Sequence, residues 1–120
     1  YDDGPVALGW LRLSHRALYP LRSTDFQPYH RHDREEKVRP GEPVPVDIEI
    51  WPSGTRFEAG DTLRLIVQSR DIQEYPPGRV YARHESTVNR GRHLVLSGGQ
   101  YDSYSVVPVL AQQHGKVTHG

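Results

Sequence analysis

The sequence predicts an all-β fold, a β-sandwich or jelly roll. Aliphatic residues alternate with other residues over 44–50 and again over 62–67, with the period of two that is typical of strands. Ten prolines and eleven glycines interrupt the 120 residues every few positions, which favours short strands and turns over long helices. About five strands with long connections suit a sandwich or jelly roll, and no segment requires a helix.

The central element is predicted to be an antiparallel pair of strands within 44–67. Four aliphatic side chains share one face of the first strand, and three share one face of the second. These residues are Val44, Val46, Ile48 and Ile50, then Leu63, Leu65 and Val67. We expect the faces that carry them to be buried.

The remaining segments complete the predicted architecture. Residues 6–15, 93–96 and 104–110 read as further strands, whereas 16–39 and 71–83 are long, polar and rich in turn residues. A long connection inside a compact domain is usually functional or held by packing, so we expect the aromatic residues of 16–39 to anchor that loop across the sheet.

Turn chemistry marks the ends of several strands. Residues 40–43 (PGEP) predict a turn before the central pair, and 98–99 (GG) predict a tight turn that glycine permits. Asp3-Gly4 is a hairpin signal whose first strand would precede residue 1, and the chain contains no methionine. We therefore expect 1–110 to be the latter part of a sandwich that is incomplete at its N-terminus, followed by a polar tail over 111–120.

Composition excludes several classes of function. Lys and Arg together number 15 and so do Asp and Glu, which argues against a nucleic-acid or anionic-membrane surface. No apolar run approaches the roughly 20 residues that a membrane span needs. The absence of cysteine rules out disulfides and thiolate metal sites and leaves the compartment open, with the cytoplasm slightly favoured.

Polar clusters offer few candidates for catalysis or metal binding. His30, His32 and Asp33 lie close in sequence and suit zinc if further ligands join them, or else they belong to a solvated loop. Asp47 and Glu49 share one strand face at a separation of about 7 Å, which fits either paired-carboxylate chemistry or a solvent face. No G-x-S-x-G elbow occurs, so we assign no catalytic residue. The spacing of the histidines specifies no metal site, and we assign no metal or cofactor residue.

Trp10 and Trp51 leave a binding function open. Exposed tryptophans stack sugars in β-sandwich binding modules, and isolated tryptophans next to strands also serve as core or interface residues. An independent carbohydrate-binding module is therefore the alternative function.

Three stretches are distinctive: GWLRLSHR at 9–16, PGE with VDIEIWP within 40–52, and the closing segments within 89–109. Together they resemble the C-terminal domain of the cocaine-esterase and X-prolyl dipeptidyl peptidase group, the CocE/NonD hydrolases. The segment 9–16 (GWLRLSHR) resembles the family's G-W-L-R-x-S-H-R. The segments 40–42 (PGE) and 46–52 (VDIEIWP) are similar to its P-G-E…V-x-I-x-I-W-P block, which 57–65 continues. The closing strands match at 89–93 (NRGRH) and 98–109.

The resemblance implies a galactose-binding-like jelly roll attached to an α/β-hydrolase that acts on esters, amides or X-Pro peptides. The Ser-His-Asp triad of the family belongs to the hydrolase domain, and none of it maps onto this chain. The implied role is accessory: the domain packs on the catalytic domain, in the same chain or a separate one, and shapes its cleft or an oligomer contact.

Exposed loops on a rigid sandwich commonly carry contacts, and aromatic residues dominate contact energetics. Our interface candidates are therefore Tyr19, Phe26, Tyr29 and Tyr75, with local loop packing as the alternative for all four. Strands without partners leave unpaired edges, so we also expect a homo-oligomer or a bound hydrolase chain.

Overall fold

The computed structural model describes residues 5–69 and 91–110. The chain forms two units, the first of Tyr1–Thr55 and Tyr104–Gly120 and the second of Arg56–Ser103. The two strands of the predicted central pair fall in different units, and their pairing stays a prediction. Within the described ranges, no helix is both long and apolar enough to cross a membrane.

A short 3-10 helix, Leu13–His15, is the one helix in the described part of the chain. The His15 amide donates to the Arg12 carbonyl at 2.8 Å, and the Arg16 amide donates to the Leu13 carbonyl at 3.3 Å. The Arg16 guanidinium adds a second hydrogen bond to the same Leu13 carbonyl, at 3.0 Å. The strand predicted for 6–15 is therefore wrong at its last three residues, because these bonds close a turn there.

Two isolated antiparallel bridges are the β-pairing found within 5–69 and 91–110. Leu18 pairs with His30 in the first unit, and Gly98 pairs with Tyr101 in the second. Around the first bridge, the Tyr19 amide donates to the Tyr29 carbonyl at 2.8 Å and the Arg31 amide donates to the Ala17 carbonyl at 2.9 Å. The segments predicted as strands form no longer ladder among these residues, and the sandwich stays a prediction.

In the first unit, residues 8–9 lie against residues 49–51. The Trp51 amide donates to the Leu8 carbonyl at 2.9 Å. A Cβ added at Gly9 would overlap the Glu49 carbonyl oxygen and would lie 3.1 Å from Cα of Ile50. Glycine is therefore needed at position 9, because the two backbones approach too closely for any side chain.

The turns predicted at 40–43 and 98–99 are confirmed, whereas the Asp3-Gly4 turn lies outside the described residues. The Glu42 amide donates to the Arg39 carbonyl at 3.1 Å across 40–41 in the first unit. In the second unit, the Tyr101 amide donates to the Gly98 carbonyl at 2.9 Å, and Gly98 and Gly99 have φ of 79° and 58°. These positive φ values are costly for residues with a Cβ, so the glycines set the position of this tight turn.

No large apolar side chain is buried among the described residues. The side chains expected on buried faces are all accessible to solvent, and Leu63, Leu65 and Val67 are each more than half exposed. The prediction of a buried face is therefore wrong for the chain by itself. The sequence pattern indicated which side chains share a face, but burial also requires a second surface that covers them.

Candidate functional site

The loop 16–39 is held to the segment 44–51 by polar contacts in the first unit. The His30 ring Nε2 lies 2.8 Å from the Asp47 carbonyl oxygen, and the His30 side chain is the buried polar group of the described chain, with 9% of its surface exposed. Farther along the loop, Gln27 Nε2 donates to Glu49 Oε1 at 3.3 Å. Because 27 faces 49 and 30 faces 47, the loop and the segment run in opposite directions.

The base of the same loop is closed by Arg16. Its Nη1 donates to the Glu36 carbonyl at 2.6 Å, and its Nη2 lies 3.8 Å from Glu36 Oε2. The Glu36 amide in turn donates to the Ser14 carbonyl at 2.7 Å. Arg34 Nε also pairs with Glu36 Oε1 at 2.7 Å. The 3-10 turn is thereby joined to the far end of the loop.

The interface candidates Tyr19 and Tyr29 pack against each other inside the loop. Their rings lie 6.3 Å apart in an edge-to-face arrangement, with Arg31 over the Tyr19 ring and Arg22 over the Tyr29 ring at just over 5 Å. Packing within the loop therefore covers part of the surface of both side chains, although both remain about two-fifths exposed. The expectation that they anchor the loop across a sheet has no support in these contacts.

The other two interface candidates differ from this pair. Phe26 is at the tip of the loop with 71% of its surface exposed. Tyr75 and the whole of the predicted excursion 71–83 lie outside the described residues, as does the tail 111–120.

A further ion pair lies beside the histidines. Arg31 Nη2 donates to Asp33 Oδ2 at 2.8 Å. This hydrogen bond, with the charge of the guanidinium, lowers the pKa of Asp33 and raises the pKa of Arg31. Asp33 is thus occupied by Arg31 and is not arranged as a metal ligand.

Among the described residues, His30 and His32 belong to no group of side chains that could hold a metal ion. The His30 and His32 rings lie 6.0 Å apart and are tilted by 56°, and His32 has a φ of 57°. No group of three or more histidine, aspartate or glutamate side chains in 5–69 and 91–110 could hold a metal ion.

The two tryptophans form a pair at the edge of an open depression. Their ring centroids lie 5.1 Å apart, and the ring planes meet at 78°. The depression has a volume of about 400 Å³. Eight residues line it: Trp10, Leu11, Arg12, His15, His30, His32, Glu49 and Trp51.

Sequence reasoning identified both tryptophans and the His30–His32 pair but did not predict that they meet. It also missed Arg12 and His15, which lie in the segment 9–16 next to Trp10. The alternation of side chains over 8–12 does not indicate which distant segment of the chain lies beside these residues. The close approach at Gly9 settles that question, since it sets residues 8–9 beside 49–51.

Comparison with models of known protein families shows to which family the chain belongs. The model of the X-Pro dipeptidyl-peptidase C-terminal non-catalytic domain matches residues 2–106. The chain belongs to this family. The resemblance read from the sequence motifs is thereby confirmed, and the family is by description a non-catalytic domain of a peptidase. No curated protein and no solved structure gives a significant match.

Proposed function

We propose that this chain is the accessory β-sandwich domain of an α/β-hydrolase that cleaves esters, amides or X-Pro peptides. In this role it packs on the catalytic domain and helps to shape the active-site cleft or an oligomer contact. The observation that carries the proposal is the family match over residues 2–106, which assigns a non-catalytic part to a peptidase. The catalytic domain is thus the partner that the family description implies.

The exposed apolar surface supports a packing role. In the first unit, the run 104–110 carries Val109 and Leu110 with more than four-fifths of their surface exposed. In the second unit, Leu94 is 78% exposed and the aliphatic residues of 63–67 are about half exposed. Burying exposed apolar side chains against a second surface is favourable, because it releases about 25 cal/mol per Å² of apolar surface. A covering protein surface accounts for these side chains.

The loop 16–39 is the contact surface proposed for the cleft. Arg16 holds the base of the loop and His30 holds its middle. The tip therefore extends from a part of the loop that is fixed in position. The tip carries the exposed Phe26. An exposed aromatic residue on a supported loop suits a contact whose position must be reproducible, because little conformational entropy is lost when it binds.

A direct test measures whether the catalytic domain covers this surface. Hydrogen–deuterium exchange of the chain alone is compared with exchange in the presence of its hydrolase domain. We expect slower exchange over 63–67 and 104–110 in the complex. We also expect the chain alone to be inert, so that it neither hydrolyses a p-nitrophenyl ester nor reacts with a fluorophosphonate probe. Unchanged exchange in the complex, or labelling of the chain alone, would contradict the proposal.

The same complex tests the loop. Phe26→Ala is expected to raise KM of the hydrolase for an X-Pro p-nitroanilide several-fold, while kcat changes less, since the loop shapes the cleft without contacting the reacting atoms. The matched control is Glu35→Ala, an exposed residue of the same loop. Equal KM values for the two variants would show that the loop does not shape the cleft.

The oligomer contact is tested by sedimentation of the chain alone. Self-association through the apolar runs is expected in the absence of the hydrolase domain, because a second copy then provides the only apolar partner. A monodisperse monomer that unfolds cooperatively would show that these side chains need no covering surface.

A further inference from the structure

In the Trp10–Trp51 pair, the exposed Trp51 provides one open aromatic surface, and the two rings do not form a clamp. With the centroids 5.1 Å apart and the planes at 78°, the edge of one indole touches the face of the other. No ligand ring fits between two rings in contact. Trp51 is 60% exposed, so a ligand is offered the open surface of this indole. This geometry favours a ring that stacks on one face, which is how pyranose C–H groups meet the negative face of an indole.

The polar groups around this aromatic surface carry both signs of charge. The guanidinium of Arg12 is exposed and has no hydrogen-bond or ion-pair partner among the described residues. Glu49 is half-buried in the same depression, and one of its oxygens receives the hydrogen bond from Gln27. The depression therefore contains the N–H donors of the Arg12 guanidinium, which suit an anion, and the Glu49 carboxylate, which accepts hydrogen bonds from hydroxyl groups.

The histidines add fixed groups for hydroxyl recognition. His30 is held by the Asp47 carbonyl, and His15 Nδ1 lies 3.0 Å from Ser14 Oγ, so neither ring turns freely. His32 joins them in the lining. Groups that are already positioned bind with a smaller loss of entropy than groups that must be ordered by the ligand.

We propose that this depression binds an acidic saccharide, with one sugar ring stacked on Trp51 and its carboxylate paired with Arg12. Glu49 and the imidazoles receive or donate hydrogen bonds to the hydroxyl groups of the same sugar. The proposal goes beyond packing on a hydrolase. It also sharpens the alternative of a carbohydrate-binding module, because it specifies a uronate in place of a neutral sugar.

Other anionic ligands fit the lining less well. A phosphate ion has no apolar face to stack on the Trp51 indole, so it satisfies Arg12 and leaves the aromatic surface unused. A peptide carboxylate satisfies Arg12 but brings no set of hydroxyl groups for Glu49 and the histidines. A uronate meets all three requirements in one ring.

The test uses the full 120-residue chain and two tetrasaccharide probes of similar size, tetragalacturonate and cellotetraose. Binding is followed by isothermal titration calorimetry and by tryptophan fluorescence. We expect saturable binding of tetragalacturonate with a change in indole emission, and binding of cellotetraose at least tenfold weaker. Absence of tetragalacturonate binding, or equal affinity for the two probes, would overturn the proposal.

Two variants locate the site. Arg12→Gln changes an exposed side chain and is expected to weaken tetragalacturonate binding about tenfold, because it removes a charge-assisted pair, while any cellotetraose binding stays unchanged. Trp51→Ala is expected to abolish binding of both probes. The matched control for net charge is Arg64→Gln in the second unit, which should bind as the unaltered chain does.

The Arg12→Gln result decides the case even if Trp51→Ala fails to fold. Unaltered circular dichroism with unchanged tetragalacturonate affinity in Arg12→Gln would show that the carboxylate does not meet this guanidinium. An equal loss of affinity in Arg12→Gln and Arg64→Gln would show only general charge attraction and would likewise overturn the proposal.

Discussion

Among the described residues, the two units differ in the sequence distance that their hydrogen bonds bridge. In the first unit, His30 reaches Asp47, Gln27 reaches Glu49, and Trp51 reaches Leu8, separations of 17, 22 and 43 residues. In the second unit, the Asp61 amide reaches the Glu58 carbonyl and the Ser103 hydroxyl reaches the Leu96 carbonyl, three and seven residues away. The first unit thus arranges distant segments, whereas these bonds of the second unit define turns.

This difference has a consequence for stability. A bond within a turn is re-formed easily because its partners stay close in the unfolded chain, but a contact between distant segments must offset the entropy of closing a long loop. In the first unit, polar contacts must provide that offset, because no large apolar side chain is buried among the described residues. Single substitutions at those contacts should therefore act more strongly than substitutions in the turns of the second unit.

The largest effect is expected from Gly9→Ala. The added Cβ would overlap the Glu49 carbonyl oxygen, a backbone atom that cannot rotate away. The segments 8–9 and 49–51 must then separate, and we expect a loss of about 1–3 kcal/mol in the free energy of unfolding. Urea denaturation followed by the fluorescence of Trp10 and Trp51 measures it.

The matched control for this substitution is Gly54→Ala. Gly54 is in the same unit, but a Cβ there meets nothing within 4 Å. The control should leave the urea midpoint within experimental scatter of the unaltered chain or raise it slightly, because alanine restricts the unfolded chain. If both variants behaved alike, the close approach at Gly9 would not contribute to stability.

An intermediate effect is expected from His30→Ala. This change removes the buried ring that contacts the Asp47 carbonyl and leaves that acceptor without its partner. The cost should be about 1–2 kcal/mol, with a change in the near-ultraviolet circular dichroism of the tryptophans that share the depression.

Ser103→Ala gives the contrast with the second unit. It removes the 2.5 Å hydrogen bond from the Ser103 hydroxyl to the Leu96 carbonyl. Because the acceptor is exposed and water replaces the hydroxyl, we expect less than about 1 kcal/mol and no change in the tryptophan signal. A larger loss in Ser103→Ala than in His30→Ala would reverse the comparison between the units.

The smallest effect concerns the Arg31–Asp33 pair. The hydrogen bond from Arg31 lowers the pKa of Asp33, so the pair stabilises the folded chain above the ordinary aspartate pKa of about 3.9. That contribution is lost as the pH falls through the lowered pKa of the folded state. The raised pKa of Arg31 has no consequence in this range, because the guanidinium stays protonated throughout.

Carbon-13 NMR of the Asp33 carboxyl group measures this pKa directly. In Arg31→Gln the midpoint should move up towards the ordinary value. Arg34→Gln is the graded control, because the charge of Arg34 is the weakest of the causes that lower this pKa. A midpoint that stays the same in Arg31→Gln would show that the pair does not form in solution.

The sequence by itself determined the family and the turns. The motif segments 9–16 and 40–52 were sufficient to indicate the domain that the family model then matched. Glycine and proline chemistry gave the turns at 40–43 and 98–99, because backbone dihedral preferences are local and are read from one or two residues. The same pattern did not reveal the 3-10 turn at Leu13–His15, which depends on the side chain of Arg16 and its partner Glu36.

Only the tertiary structure decided which distant residues meet. Alternation over 44–50 shows which side chains share a face, but it carries no information on the segment that faces them. The approach of residues 8–9 to 49–51 and the contact of His30 with Asp47 bring both tryptophans, Arg12 and Glu49 to one depression. The physical reason is that local preference acts over a few residues, whereas a site is assembled by contacts that close loops of 17 to 43 residues.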